Sequence, residues 1–492
     1  MQTADLLNSI VYKKIIGTLP TTISDVAIDS RSVQFGSMFI CIKGYTADGH
    51  DFIPQAIDAG AKVIVIDQDL EFYDDRIAYV FVSNTTRAAG LVAAKFFDYP
   101  SKKMTLYGVT GTNGKTSVSG MIYHLLRKFE HKTALTGTIG FTLNDVLYDS
   151  MNTTNDVLTT QQMIHQAVSE RCSDMIMEVS SHGLSLGRLT GVEFDVAIFT
   201  NLTHDHLDFH GTMEQYGHAK SLLFSQLGQD LTQDKHAVLN VDDAWSERLM
   251  EVTPFPVWTY GLENKADFQA IDIQLLPDKT TFTMVTPFGS FPIEMKLLGK
   301  FNVYNALASI AALSAKGYPI EELVLYLQQL HPVKGRMERL ETGYPISIYI
   351  DYAHTPDAIE KAIDAIRPTM TAGKLIFVIG TGGNRDRTKR PIMAEKASKA
   401  DYVILTTDDP RFESYDTILD ELKSGMVHPH FACIGDRKEA VYHAVEIADV
   451  GDTIIFAGKG HEDYQIIGNE KTPHSDGDLA LEALAQKFAM KH

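Results

Sequence analysis

The segment Gly108–Thr116, which reads GVTGTNGKT, constrains the fold of this chain more than any other feature. It overlaps the end of an apolar run, Met104–Thr110, that is typical of a buried strand, and it precedes an amphipathic stretch that ends near Phe129. A glycine-rich turn between a strand and a helix lets backbone N–H groups approach phosphate oxygens, and the helix N-terminus adds a positive dipole. The segment therefore predicts a nucleoside-triphosphate site in an α/β domain.

Individual positions of this loop carry separate parts of the prediction. Lys115 supplies a positive charge for the phosphates, and the Thr116 hydroxyl is placed to bind Mg²⁺. The strict P-loop pattern needs a glycine where Val109 stands, and Gly108 comes one residue too early. The strand–GTNGKT–helix context still favours nucleotide binding over a chance glycine-rich turn. The candidate ATP-binding residues of the loop are Gly111, Thr112, Asn113, Gly114, Lys115 and Thr116.

The length of 492 residues predicts two to four domains, since a domain typically has roughly 100–200 residues. Turn-forming residues at Asp98–Ser101 and at His331–Gly335 suggest two boundaries. We therefore expect domains over residues 1–100, 101–331 and 332–492. Short apolar runs alternate with helix-like runs in each of them, and residues 255–298 are rich in strand-like runs. This alternation predicts α/β domains with mostly parallel sheets.

Composition excludes several classes of protein. The formal net charge of −19 disfavours nucleic acids and anionic membranes as partners, although a local basic pocket can still bind an anionic small molecule. The three cysteines, Cys41, Cys172 and Cys433, lie far apart without the spacing of a zinc site or a disulfide framework. The chain contains neither a signal-peptide pattern nor a long apolar window, so we expect a cytoplasmic protein without a membrane span.

Further motifs resemble the superfamily of Mur ligases and folylpolyglutamate synthases, to which GTNGKT also belongs. The resemblance extends from Asp29 to Glu462 and is strongest to the MurE type of Mur ligase. It implies a three-domain α/β architecture, with a P-loop parallel sheet in the central domain and a Rossmann-like C-terminal domain. The motifs are EVSSHGL (Glu178–Leu184), NLTHDHLDFHGT (Asn201–Thr212), GHAKSLLF (Gly217–Phe224), GKFNVYNALA (Gly299–Ala308), GRMER (Gly335–Arg339), DYAHTPD (Asp351–Asp357) and GGNRDRTKRPIM (Gly382–Met393).

The resemblance implies an activity in peptidoglycan synthesis. ATP would phosphorylate the D-glutamate carboxylate of UDP-MurNAc-L-Ala-D-Glu, and the amine of a diamino acid would attack the acyl phosphate. Lys115, Glu178, His206 and Lys220 are then the candidate catalytic residues. Thr116, Glu178, His206 and Lys220 are the candidate Mg²⁺ ligands. His206 resembles the family's ligand to a second Mg²⁺, and Lys220 would carry a CO₂-derived carbamate that turns a cation into an anionic oxygen ligand.

Simpler structural roles remain as alternatives for two of these residues. His206 could be a hydrogen-bonded structural histidine, and we favour that role for its neighbours His204 and His210. A helical lysine such as Lys220 is usually a solvated surface charge, but the GHAKSLLF context favours function.

The resemblance also implies the residues that bind ATP and the nucleotide-linked substrate. Asn302 and Asn305 are one helical turn apart and would lie near adenine, with helix capping as the alternative. Ser30 and His50 match the uridine-diphosphate region, or else are turn residues. Arg336, Asp351 and His354 would complete the ATP site; Asn152, Thr153, Thr154, Ser180 and Arg188 would bind the MurNAc-dipeptide.

The identity of the added amino acid depends on a loop that resembles the DNPR motif of diaminopimelate-adding enzymes but reads DDPR. Diaminopimelate ends in a zwitterion, which Arg411 and Glu462 would satisfy together. Lysine ends in an ammonium alone, which favours the aspartate at position 409. We expect diaminopimelate, with L-lysine as the alternative and a helix start at Asp409-Pro410 as the structural alternative. The candidate amino-acid-binding residues are Arg385, Asp408, Asp409, Pro410, Arg411, Gly458 and Glu462.

Three other functions are disfavoured by particular residues. A folylpolyglutamate synthase should lack the N-terminal Asp29-Ser30-Arg31 and Asp48-Gly49-His50 motifs. A P-loop regulatory ATPase would not need Lys220, and a non-catalytic binding subunit would not retain all four candidate catalytic residues. The sequence does not predict the oligomeric state.

Overall fold

A computed structural model describes residues 1–44, 47–150 and 152–489 of the chain. The first 100 residues form a small α/β unit around one five-stranded sheet. The strand order is β1-β5-β4-β3-β2, and all neighbours are parallel except β1 and β5. The strands are β1 (Lys14–Ile16), β2 (Val26–Ala27), β3 (Met38–Ile40), β4 (Val63–Ile66) and β5 (Ala78–Phe81), and the helices are α1 (Thr3–Leu7), α2 (Ile53–Asp58) and α3 (Thr85–Phe96). Short 3₁₀ helices cover Ser30–Ser32, Gly49–Phe52 and Pro100–Lys103.

The second unit is built on an eleven-stranded sheet with the order β16-β15-β14-β13-β12-β11-β6-β10-β7-β8-β9. Its strands are β6 (Thr105–Thr110), β7 (Thr133–Thr136), β8 (Phe141–Leu143), β9 (Val146–Tyr148), β10 (Asp174–Glu178), β11 (Val196–Phe199), β12 (His236–Asn240), β13 (Val257–Gly261), β14 (Phe268–Leu275), β15 (Thr280–Thr286) and β16 (Gly289–Met295). Its helices are α4 (Lys115–Lys128), α5 (Val157–Ser169), α6 (Ser181–Ser185), α7 (Leu207–His210), α8 (Met213–Ser225), α9 (Trp245–Val252), α10 (Lys300–Ala315) and α11 (Ile320–Leu327).

Pairing in this sheet is parallel from β14 through to β7 and antiparallel at both edges. The strand-rich region near residues 255–298 therefore extends the same sheet and does not form a separate one. The middle strand β6 is buried almost throughout because helices cover both faces of the parallel part.

The third unit contains a six-stranded sheet with the order β17-β18-β22-β19-β20-β21, parallel except for β17. A two-stranded hairpin lies beside it. The strands are β17 (Glu338–Arg339), β18 (Ser347–Asp351), β19 (Leu375–Thr381), β20 (Tyr402–Thr407), β21 (Phe431–Cys433), β22 (Thr453–Ala457), β23 (Tyr464–Ile467) and β24 (Glu470–Pro473). The helices are α12 (Pro356–Ile366), α13 (Lys389–Ala397), α14 (Tyr415–Lys423), α15 (Arg437–Ile447) and α16 (Asp476–Ala489), with a 3₁₀ turn at Arg367–Thr369.

The predicted α/β architecture with mostly parallel sheets is confirmed, and each sheet falls within one predicted domain. The boundaries at residues 100 and 331 stay predictions. A helix does not begin at Asp409-Pro410; the next helix, α14, begins at Tyr415. Among the described residues, no helix combines the length and the apolar character that a membrane crossing requires.

The candidate site residues follow the carboxyl ends of the parallel strands, where α/β proteins bind their ligands. In the central sheet, the phosphate loop follows β6 and Glu178 ends β10. In the C-terminal sheet, Asp351 ends β18, Asp408 follows β20 and Gly458 follows β22. Both sheets therefore contribute loops to the same region between them.

Candidate active site

The phosphate loop joins β6 to α4 and depends on two glycines with positive φ. Gly111 has φ of 148° and Gly114 has φ of 92°. A Cβ atom at Gly111 would lie 1.8 Å from Oγ1 of Thr200, so the loop lies tightly against the end of β11. The Lys115 ammonium donates hydrogen bonds to the carbonyls of Gly111 and Thr112, both at 2.9 Å. Burial lowers the pKa of Lys115, and the nearby Glu178 and Asp205 carboxylates oppose that shift.

A buried carboxylate lies next to the first turn of α4. Glu178 is 2% exposed, and its oxygens accept hydrogen bonds from the Thr116 hydroxyl at 3.1 Å and from the backbone and hydroxyl of Thr138. Arg336, from the linker into the third unit, donates to the Thr116 hydroxyl at 2.9 Å. The arrangement places a carboxylate, a hydroxyl and a guanidinium around the end of the phosphate loop.

Lys220 lies on α8 and is 1% exposed, so it is a buried residue and not a solvated surface charge. Its ammonium donates to the Gly111 carbonyl at 2.8 Å and lies 4.5 Å from the centre of the Tyr216 ring. Burial, reinforced by Lys115, lowers the pKa of Lys220 well below its ordinary value, while Asp205 opposes the shift. A buried lysine without a carboxylate partner is readily neutral, which is the form of the amine that reacts with CO₂.

His206 adopts φ of 55° at the residue before α7. Its Nε2 atom lies 3.4 Å from the Asp205 carboxylate, and its ring lies 4.9 Å from the ring of His182. Burial lowers the pKa of His206 to about 3, against the opposing effect of Asp205, so the imidazole is neutral at physiological pH. By contrast, His210 is buried and within 2.9 Å of the Ser181 hydroxyl, as expected for a structural histidine.

A first cleft of about 250 Å³ lies between the central and C-terminal units beside the phosphate loop. Asn113 crosses between these units, since its side-chain amide donates to the Asp357 carboxylate at 2.8 Å. The cleft walls combine loop residues with aromatic rings, as expected for a site that binds a nucleoside triphosphate. The predicted residues that line it are Asn113, Gly114, Asn305, Arg336 and Asp351.

A second cleft of about 530 Å³ adjoins the first, and Tyr352 lines both. It combines two sets of residues that are far apart in sequence. From the central unit, it contains the five predicted dipeptide-binding residues Asn152, Thr153, Thr154, Ser180 and Arg188. From the C-terminal unit, it contains six of the seven predicted amino-acid-binding residues: Arg385, Asp408, Asp409, Arg411, Gly458 and Glu462.

Comparison with known proteins identifies these units. The chain matches the models of the "Mur ligase family, catalytic domain" over residues 22–96, the "Mur ligase middle domain" over 109–313 and the "Mur ligase, glutamate ligase domain" over 335–460. It is 47% identical over 490 residues to "UDP-N-acetylmuramyl-tripeptide synthetase 2" of Oceanobacillus iheyensis, with 99% of each chain covered. The chain belongs to the Mur ligase family. Within the family it is of the MurE type, and it is an ATP-dependent acid–amino-acid ligase of peptidoglycan biosynthesis.

Two further relatives differ in the amino acid that their names give. The "UDP-N-acetylmuramoyl-L-alanyl-D-glutamate--L-lysine ligase" of Staphylococcus haemolyticus is 47% identical over 489 residues, and 99% of each chain is covered. A solved structure of "UDP-N-acetylmuramoyl-L-alanyl-D-glutamate--2, 6-diaminopimelate ligase" is 31% identical, covers 96% of both chains and superposes with a TM-score of 0.67.

Some predicted residues of this Mur ligase do not line the cleft that their predicted role requires. Asn302 contacts the Leu298 carbonyl and accepts a hydrogen bond from Asn305, so it lies behind Asn305 and lines a small separate pocket. Ser30 and His50 belong to the N-terminal unit, where His50 is buried with Nδ1 2.7 Å from an Asp48 oxygen. Pro410 does not line the second cleft, and His354 lines the second cleft and not the first.

Several residues that line the clefts of this ligase were not predicted from the sequence. Asp242 lies in the first cleft. Its carboxylate accepts hydrogen bonds from three successive backbone N–H groups at Leu262–Asn264 and from the Tyr304 hydroxyl at 2.8 Å. Its position two residues after β12, at the carboxyl end of a parallel strand, was the signal that could have identified it. Lys389 and Asp205 form a buried ion pair of 3.1 Å across the second cleft, which spacing in sequence does not reveal.

The proposed Mg²⁺ ligands fit that ion in their chemistry. Thr116 supplies a hydroxyl, Glu178 a buried carboxylate and His206 a neutral imidazole, and Lys220 would add oxygens once carboxylated. Magnesium prefers oxygen ligands and commonly binds through one or two carboxylates together with phosphates. The oxygen donors of Thr116, Glu178 and carboxylated Lys220 therefore suit Mg²⁺ beside ATP, and His206 would add a nitrogen ligand.

Proposed function

We propose that this ligase joins L-lysine to the D-glutamate carboxylate of UDP-MurNAc-L-Ala-D-Glu, with ATP as co-substrate. The observation that carries the choice of amino acid is the 47% identity over 99% of both chains to a relative named as an L-lysine ligase. The structure named as a diaminopimelate ligase is 31% identical. These relatives favour L-lysine. From the sequence alone we expected diaminopimelate, with L-lysine as the alternative.

The charges of the second cleft support this choice. Arg411 is the cation that would bind the extra carboxylate of diaminopimelate, and it is already engaged: it donates to the Gly383 carbonyl at 3.1 Å and lies 3.6 Å from the Asp409 carboxylate. Three carboxylates, those of Asp408, Asp409 and Glu462, also line the cleft. Carboxylate oxygens are favourable acceptors for the terminal ammonium of lysine.

The two adjoining clefts support a phosphorylation followed by an amine attack. We assign the ATP phosphates to the loop around Lys115, whose charge would stabilise the transferred phosphoryl group. We assign the dipeptide to the second cleft, where Arg188 would bind a substrate carboxylate. The amine of lysine would then approach the acyl phosphate from the side of Asp409 and Glu462. Two Mg²⁺ ions, when held by Thr116, Glu178, His206 and carboxylated Lys220, would neutralise phosphate charge. We place the reaction in the cytoplasm, as the sequence predicts.

Diaminopimelate remains the second candidate because Arg411 and Glu462 both line the cleft and have the charges that a zwitterionic end requires. The likeness to the diaminopimelate ligase structure also favours it.

A direct assay distinguishes the two amino acids. Purified enzyme is given ATP, UDP-MurNAc-L-Ala-D-Glu and either L-lysine or meso-diaminopimelate, and the products are separated by chromatography. We expect a new lysine-containing product and a much lower kcat/KM for diaminopimelate, with Lys115→Ala as the inactive control. Preferential use of diaminopimelate would reverse the choice of substrate, and failure with both would contradict the proposed function.

A further inference from the structure

A completely buried cation lies behind the carboxylates of the amino-acid subsite. Lys459 is 0% exposed and does not line the second cleft. Its ammonium donates hydrogen bonds to Glu462 at 2.7 Å and to Asp409 at 2.9 Å, and it lies 3.5 Å from Asp408. All three of these carboxylates line the cleft. Lys459 therefore contacts the walls of the subsite from inside the protein.

The ammonium of Lys459 offsets the repulsion among the three neighbouring carboxylates. One oxygen from each of Asp408, Asp409 and Glu462 lies within 4.8 Å of the others, and like charges at such separations suppress one another's ionisation. Burial raises the pKa of Glu462, and Lys459 opposes that shift. Burial alone would lower the pKa of Lys459, but the three carboxylates outweigh it and raise the pKa above its ordinary value.

The place that a metal ion would take in such an acidic cluster is occupied by the ammonium of this chain's own lysine. Arg437 is a second buried cation near these carboxylates, but it forms its ion pair with Asp476 at 2.7 Å and so adds no net charge to the subsite. The ion-paired cluster of three carboxylates with Lys459 and Arg411 has one net negative charge, and Arg385 lines the same cleft outside this cluster.

We propose that Lys459 is a positioning residue that acts as the internal counter-ion of the amino-acid subsite, holding its three carboxylates in place and setting the net charge of this ion-paired cluster to match a substrate side chain with a single positive charge. The inference rests on the proposed function and specifies which property of the subsite selects the substrate. Substrate does not touch Lys459, because the cleft-lining carboxylates lie between them. Of the three carboxylates, that of Glu462 should be held most firmly, since its distance of 2.7 Å to the Lys459 ammonium is the shortest of the three.

The test removes the counter-ion and then restores the charge balance. Lys459→Met should raise the KM for L-lysine by about tenfold or more, because hydrogen bonds to charged groups are lost from the subsite walls. The KM for ATP should stay within about threefold, because neither Lys459 nor its three carboxylate partners line the nucleotide cleft. Adding Asp408→Asn to Lys459→Met returns the net charge to its original value. The KM for L-lysine should therefore be lower by about threefold or more in the double variant than in Lys459→Met.

Lys396→Met is the matched control. Lys396 lies in the same unit and forms an ion pair of 2.9 Å with Glu360, away from the second cleft. If the role of Lys459 were purely structural, adding Asp408→Asn to Lys459→Met would raise the KM for L-lysine further, and that result would overturn the proposal. A KM for L-lysine in Lys459→Met no higher than in the control would overturn it as well.

Two further comparisons keep the test decisive. If Lys459→Met does not fold, as measured by thermal unfolding, the double variant is compared with Asp408→Asn alone: the proposal requires an equal or lower KM in the double variant, and a higher one refutes it. If wild-type enzyme uses only diaminopimelate, the proposed substrate is wrong. The same variants measured with diaminopimelate then still decide whether Lys459 sets the charge of the subsite.

Discussion

Replacement of Asp409 by asparagine tests the proposed substrate with the smallest change in shape. Asp409 Oδ1 accepts hydrogen bonds from the Lys459 ammonium at 2.9 Å and from the Ile466 backbone at 3.0 Å. An asparagine oxygen can accept both, so Asp409→Asn should fold normally. The change removes one negative charge from the subsite and the 3.6 Å ion pair with Arg411.

The expected loss of kcat/KM follows from weakening the proposed hydrogen bond between the Asp409 carboxylate and the terminal ammonium of lysine. A hydrogen bond to a charged group contributes about 1.5–3 kcal/mol and a neutral one about 0.5–1.5 kcal/mol, so the difference is about 1–2 kcal/mol. That corresponds to a fall of about 5–30-fold in kcat/KM for L-lysine. Diaminopimelate should be used as well as before or better, because Arg411 is released from Asp409 to bind its carboxylate.

The assay measures phosphate release at varied amino-acid concentration, with chromatography to identify the product. Asp420→Asn, at an exposed position on α14 of the same unit, is the control for the loss of one carboxylate. Unchanged lysine kcat/KM together with reduced diaminopimelate use would refute the reasoning. Arg411→Ala adds a second check, since its cost for lysine should be small under the proposal and large for diaminopimelate.

Three other predictions concern catalysis and stability. Lys115→Ala should lower kcat by about 10²–10³, as expected when a phosphate-stabilising charge is removed; retention of more than about a tenth of the rate would contradict the assignment. Lys220→Ala should lose most activity and regain part of it with added formate or acetate, whereas a normal rate at ordinary magnesium would exclude the carbamate. Arg437→Met should cost about 3–5 kcal/mol in thermal unfolding because it leaves Asp476 buried without its partner; Arg367→Met, at a half-exposed ion pair, is the control. Burial alone would raise the pKa of Asp476, but Arg437 and His474 outweigh it and hold the pKa well below its ordinary value. The stabilisation is therefore present above about pH 4 and is lost as the pH falls below it. A free energy of unfolding that does not change in acid would refute this assignment.

Local features of the chain were predictable because they depend on neighbours in sequence. The glycines at 111 and 114 and the lysine at 115 predicted a strand–loop–helix unit, and the structure has it as β6, the loop and α4. The apolar run Met104–Thr110 is observed as β6 (Thr105–Thr110), and the amphipathic stretch that ends near Phe129 is observed as α4 (Lys115–Lys128). The grouping of dipeptide and amino-acid residues followed from motifs, and the second cleft contains most of both groups.

Side-chain orientation was less predictable. Asn302 and Asn305 are close on one helix, yet only Asn305 lines the first cleft. The difference arises because Asn302 lies close enough to the Leu298 carbonyl to donate to it. Helical spacing alone cannot reveal which of two adjacent amides is used in packing.

The sequence by itself determined the family, the phosphate loop and the order of the motifs, since these are properties of residue type and spacing. Only the tertiary structure decided that Lys220 is buried beside Gly111, that Lys389 pairs with Asp205 and that Lys459 lies among three carboxylates. The physical reason is that burial and Coulomb interactions depend on distance in space. A lysine in a motif can be solvated, neutral or a counter-ion, and the packing of residues distant in sequence determines which of these it is.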